Sequence, residues 1–147
     1  MLIRRPPGEV FAAFANPQTL RKFWLTDASG PLAPGARVQW QFMVPGATAK
    51  VFVTRFEAPR LLSFDWPDDG LHVDMSFEPF GEGGTRAAVA VSGFEGADVP
   101  EQATSTIEGF SIVLCDLKTL LETGESAGLV RDKAALIVAA QAARGGG

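Results

Sequence analysis

The chain has 147 residues, of which 46% are hydrophobic and 20% charged, and its formal net charge is -4. That size fits one domain with a substantial core. The mild acidity argues against a nucleic-acid binder, which carries a basic patch; here Arg4–Arg5 and Arg21–Lys22 are the only adjacent basic pairs. One cysteine, Cys115, leaves no internal disulfide. The first ten residues hold two prolines and no apolar stretch of the signal-peptide kind. No apolar run approaches the roughly 18 residues that span a bilayer. The cytosol is the expected compartment. Aromatic usage is lopsided, with 11 Phe, 3 Trp and no Tyr, which suits a dry interior.

In chain order, residues 2–5 read as a short first strand ended by Pro6-Pro7. Residues 8–15 predict a helix, with Val10, Phe11 and Phe14 at helical spacing. Asn16-Pro17 then supplies a good cap and a favoured first helical residue. A second short helix should run over 17–24, with Leu20, Phe23 and Trp24 as its apolar stripe. Gly30-Pro31 and Pro34-Gly35 punctuate a loop.

Alternation of period two follows, the mark of half-buried strands. Strands are predicted over 37–44, 49–56, 61–66, 71–78 and 86–94. In the first, Val38, Trp40, Phe42 and Val44 share a face. In the second both faces are partly apolar, so its inward face stays open. Leu62, Phe64 and Trp66 alternate in the third, and Val73, Met75 and Phe77 in the fourth. Asp68-Asp69-Gly70 is a hairpin signal. Such short links favour antiparallel neighbours, because parallel pairing needs a long crossover. Residues 101–123 then read as one long amphipathic helix. Ile107, Phe110, Leu114, Leu117 and Leu121 form its stripe, widened by Val113 and Leu120, and Gly124 ends it. A weaker helical pattern covers 129–143, and 144–147 should be a disordered tail.

The ordered set of segments resembles the START-like (SRPBCC) superfamily, in the branch named after the activator of heat-shock protein ATPase. Pro7-Gly8-Glu9-Val10-Phe11 through Asn16-Pro17 to Phe23-Trp24 is similar to the family's opening helix pair. Pro34-Gly35 with Val38-Gln39-Trp40 is similar to its second strand, and Phe56-Glu57-Ala58-Pro59-Arg60-Leu61-Leu62-Ser63-Phe64 to its most recognisable stretch. Gly83-Gly84-Thr85-Arg86 and Val91-Ser92-Gly93-Phe94 complete the match over residues 1–124. The resemblance implies an α+β helix-grip fold. In it a curved antiparallel sheet of about six strands wraps a long C-terminal helix, with two short helices after the first strand. It implies a domain over 1–124 and leaves 125–143 as a helical extension. Where relatives commonly have Trp after a helical glycine, this chain has Gly109-Phe110.

The resemblance also implies binding of a hydrophobic or amphipathic small molecule, lipids among them, in a cavity between sheet and long helix. Candidate lining residues here are Phe14, Trp24, Trp40, Phe42, Phe64, Trp66, Met75, Phe77, Phe110, Val113, Leu114 and Leu117. Taken singly, each reads first as core filling, since interiors pack at a density near ~0.75; it is the resemblance that points the set to a pocket. Some relatives are cyclases or dehydratases, and a few are co-chaperones. The co-chaperones carry an added N-terminal domain missing here, which argues against a chaperone partner.

No motif fixes a reaction. His72, the only histidine, shares a polar strand face with Asp74, so solvent exposure competes with acid/base chemistry. One His and one Cys do not make a metal set, and neither metal nor cofactor is expected. Binding without chemistry is therefore the preferred reading. A cyclase, dehydratase or hydrolase using Glu108, Asp65 or His72 at a pocket mouth is one alternative. A regulatory interaction module is the other. For that module an exposed apolar patch on 129–138 would be the surface, and the same segment could join a homodimer.

Overall fold

The computed structural model describes residues 1–145. Its chain order is β1 (Leu2–Ile3), α1 (Pro7–Ala15), α2 (Pro17–Phe23), β2 (Leu25–Ala28), β3 (Arg37–Phe42), β4 (Thr48–Glu57), β5 (Leu61–Trp66), β6 (Leu71–Phe80), β7 (Gly84–Ser92), α3 (Val99–Thr123) and α4 (Leu129–Gly145). The architecture is α+β, as expected. One curved antiparallel sheet has the order β1-β7-β6-β5-β4-β3-β2. It has seven strands where about six were expected. The added strand is β2, which lies at the sheet edge against β3.

Local sequence accounts for the helix ends. Asn16 accepts a hydrogen bond from the Gln18 amide at 2.9 Å, and Pro17 opens α2. Gly124 closes α3 with φ +88°, a left-handed conformation that costs glycine little. Strand β3 stops at Phe42 instead of residue 44. Met43 to Gly46 turn the chain, and the Phe42 amide bonds the Ala47 carbonyl at 2.9 Å.

The ambiguous faces of β4 have a physical cause. Val53 pairs with Phe64 and Arg55 with Ser63, so Thr54 is an extra residue, a bulge. Ala49, Val51 and Val53 point inward before the bulge, and Phe56 joins the core after it. Phe52 stays on the outer face, under the Arg37 guanidinium at 4.6 Å.

The core fills the concave side of the sheet, between the strands and helices α1, α2 and α3. Phe14, Phe23, Trp40, Phe64 and Phe77 are wholly buried. Phe11 meets Phe56 edge-on at 5.0 Å and Phe77 at 5.6 Å, an arrangement that aligns ring edges with ring faces. On α3 the residues Phe110, Val113, Leu114, Leu117 and Leu120 face this core. Ile107 does not, although spacing put it in the stripe; it is 68% exposed. The described part of α4 continues through Arg144 and Gly145, two residues assigned above to a disordered tail. Gly146 and Gly147, assigned to the same tail, lie outside the described residues.

Candidate functional site

A cavity of about 330 Å³ opens where α3 and α4 cross the end of the sheet formed by β3 and β5. Its inner wall is aromatic. Trp24, Phe42, Trp66 and Phe110 close a ring of four side chains, with centroid separations of 6.4, 6.3, 5.9 and 5.6 Å going round. Trp40 sits behind them, 4.9 Å from Trp24 and 6.5 Å from Trp66. The outer wall is aliphatic. Ile112 and Val113 come from α3, Met43, Val44 and Ala47 from the β3–β4 turn, and Val130, Ala134 and Ile137 from α4. Gly109 lies at the mouth, where an added Cβ would meet no atom within 4 Å.

Polar groups in this wall are few. The Thr106 hydroxyl is spent on the Gln102 carbonyl at 2.9 Å. Among the described residues Lys133 is the only ionisable one in the lining, and its ammonium pairs with Glu108 across the two helices. Among the described residues, the buried indole N–H groups of Trp40 and Trp66 have no hydrogen-bond partner.

Of the candidates named from sequence, Trp24, Phe42, Trp66, Phe110 and Val113 meet at this cavity. Leu114 lines a smaller hollow of about 210 Å³ between α3 and β7. Phe14, Trp40, Phe64, Met75, Phe77 and Leu117 are not in the cavity wall; they are at most 1% exposed within the core. Sequence reasoning missed Lys133 and, apart from Val113, the aliphatic half of the wall. It also missed Asp116, which fixes the helix roofing the site. Asp116 is 1% exposed and accepts hydrogen bonds from the Ser126 hydroxyl at 2.6 Å and the Ala127 and Val130 amides at 3.2 and 3.4 Å. The available signal was its place on α3, between Val113 and Leu120 on the inward stripe.

A family model for the activator of Hsp90 ATPase homolog 1-like proteins matches residues 4–122. The chain belongs to this family. No curated protein matches it. Among solved structures, protein SSP2350 from Staphylococcus saprophyticus is similar at 27% identity, with a TM-score of 0.75 over 86% of this chain and 90% of that one. The Aha1 dimer from Colwellia psychrerythraea is 19% identical, with a TM-score of 0.70 over 86% and 95%. CalU16 from Micromonospora echinospora is 19% identical, with a TM-score of 0.66 over 89% and 76%. The last two likenesses speak to the fold alone. In this member of the activator of Hsp90 ATPase homolog 1-like family, the roof helix α4 falls outside the matched residues.

Two of the three acid/base candidates, Asp65 and His72, lie away from the cavity. Asp65 and His72 face each other across β5 and β6, on the outer side of the sheet. His72 Nδ1 is 2.6 Å from Asp65 and its Nε2 is 2.9 Å from Asp74, and the Ser63 hydroxyl donates to Asp74 at 2.5 Å. Glu108 is exposed and engaged with Lys133. Cys115 is half-buried. Among the described residues no three His, Cys, Asp or Glu gather as a metal site, and no helix is long and apolar enough to cross a membrane.

The outer cluster has a pH signature. Its hydrogen bond to Asp65 raises the His72 pKa above 6.5; desolvation opposes this, and Asp74 adds to the rise. The Ser63 hydroxyl, with His72 and the Arg55 charge behind it, lowers the Asp74 pKa below 3.8 against a desolvation penalty. A raised histidine stabilises fully below its unfolded value, and that stability is lost as pH rises through the folded pKa. A lowered carboxylate stabilises above its unfolded value, and that stability is lost as pH falls through the folded pKa. The unfolding free energy should therefore fall as pH rises from about 6.5 through the raised folded pKa, by less than about 1 kcal/mol for so exposed a group. Urea titrations of wild type and His72→Gln check this. An unchanged pH slope in the variant would remove His72 as its source.

Proposed function

We propose that the protein binds a hydrophobic or amphipathic small molecule in the cavity beneath α4. The observation that carries this reading is the four-ring aromatic wall around a hollow of about 330 Å³. Ligand sites are concave and mostly apolar, with volumes of roughly 300–1,000 Å³ and a few placed polar groups. A hollow forfeits dispersion contacts that close packing would supply, so its presence beside a tightly filled core favours a site over a packing fault. The family match adds the sheet-and-helix frame that holds such a space. With Lys133 as the one ionisable group in the wall, the reading is retention of a molecule without conversion.

Native mass spectrometry of freshly purified protein, followed by denaturing extraction, tests the proposal. A co-purifying hydrophobic compound near one-to-one is the expected result. In Gly109→Trp the indole grows at the mouth of the cavity, and replacing a helical glycine favours the fold by up to roughly 1 kcal/mol. That variant should keep its thermal stability and lose the bound compound. Equal occupancy in wild type and Gly109→Trp would place any ligand elsewhere.

A further inference from the structure

We propose that the molecule held in this cavity is an aromatic carboxylic acid, with its rings against Trp24, Phe42, Trp66 and Phe110 and its carboxylate on Nζ of Lys133. This rests on the reading above that the cavity binds small molecules. The wall has a polarity gradient: aromatic at the inner end and one cation on α4. A flat apolar body with one anionic end matches both.

Lys133 is held in place by Glu108, yet both side chains are substantially exposed, at 39% and 53%. An exposed ion pair contributes little to stability, so a ligand carboxylate can take the place of Glu108 at small cost. Once the rings exclude water from that end, the effective dielectric falls and the new pair is stronger than the old one. Arg21 and Arg131 line an adjoining hollow that shares Met43 and Ala134 with the cavity. Asp27 holds Arg21 at 2.8 Å, and Asp132 lies beside Lys133 on the outer groove of α4.

The test uses the full chain and two probes of the same shape, naphthoate and its neutral isostere naphthamide, followed by tryptophan fluorescence. Naphthoate should bind about tenfold or more tightly than naphthamide, a difference of about 1.4 kcal/mol. In Lys133→Met that preference should vanish while the naphthamide affinity stays the same. In Glu108→Gln, with the competing carboxylate gone, naphthoate should gain several-fold and naphthamide should not change. Equal binding of both probes to wild type would overturn the anion assignment and leave the cavity reading standing. A Lys133→Met variant that weakens both probes alike would also overturn it, because the lysine would then only hold α4. Binding of neither probe overturns the assignment together with the reading beneath it.

Discussion

Truncating Trp40 to alanine should lower the unfolding free energy by about 3–5 kcal/mol. Trp40 is fully buried and forms the floor behind the aromatic ring of the cavity. It lies 4.9 Å from Trp24, 5.3 Å from Phe64 and 6.4 Å from Phe42, all in edge-to-face geometry. Its removal would leave a void among rings that are themselves wedged by the sheet, so little collapse can relieve it. Trp40→Phe should behave differently. It keeps an aromatic body and deletes an indole N–H that has no partner, and relief of that unpaired donor offsets part of the lost volume. The net cost should stay within about 1.5 kcal/mol. Urea unfolding followed by circular dichroism separates the two variants. If Trp40→Phe proves as damaging as Trp40→Ala, the indole N–H has an unrecognised partner and contributes to stability.

Replacing Asp116 by alanine should loosen α4 selectively. The buried carboxylate gathers the Ser126 hydroxyl and two backbone amides at the start of α4. The first amides of any helix lack partners within it, and a negative charge there also complements the helix dipole. Without Asp116 these donors lose their acceptor, and the cheapest response is for α4 to lift and hydrate them. Amide exchange across residues 129–145 should therefore speed up by about 10–100-fold, the equivalent of roughly 1.4–2.8 kcal/mol. The global unfolding midpoint should move less. Asp116→Asn retains one acceptor oxygen and should fall between wild type and alanine. Hydrogen-exchange mass spectrometry reads this directly, and unchanged protection of α4 in Asp116→Ala would refute the anchoring role.

Much of the frame was legible because it repeats. Period-two alternation located β3, β5 and β6, and the three- and four-residue spacing located α3. What escaped was whatever breaks a period. Strand β2 has only four residues with two exposed in the middle, so nothing alternates. The Thr54 bulge moves the inward face of β4 from Val53 to Phe56, which no fixed period describes. Ile107 fits the helical stripe, yet it lies toward the N-terminal end of α3, where it lines only a shallow hollow beside Val89 and Val91. For the site, the aromatic half was legible as inward-facing rings, but which rings fill and which border a hollow depends on depth in the core. Lys133 was hidden because α4 is only weakly amphipathic. Its cavity face is made of Val130, Lys133, Ala134 and Ile137, a sequence without strong contrast.

The roof of the cavity is tied at one end. Asp116 grips residues 126–130, whereas residues 139–145 are exposed throughout. Opening therefore starts from the free end and runs toward the anchor, through states of graded free energy. Such opening would add an exit to the mouth at Gly109 and so shorten the dwell time of an occupant. Each change of about 1.4 kcal/mol in lifting the helix is tenfold in the open population. Substitutions at Ser126 or Gly128, which touch nothing in the wall, would then alter how long a molecule stays while leaving unchanged which molecule fits.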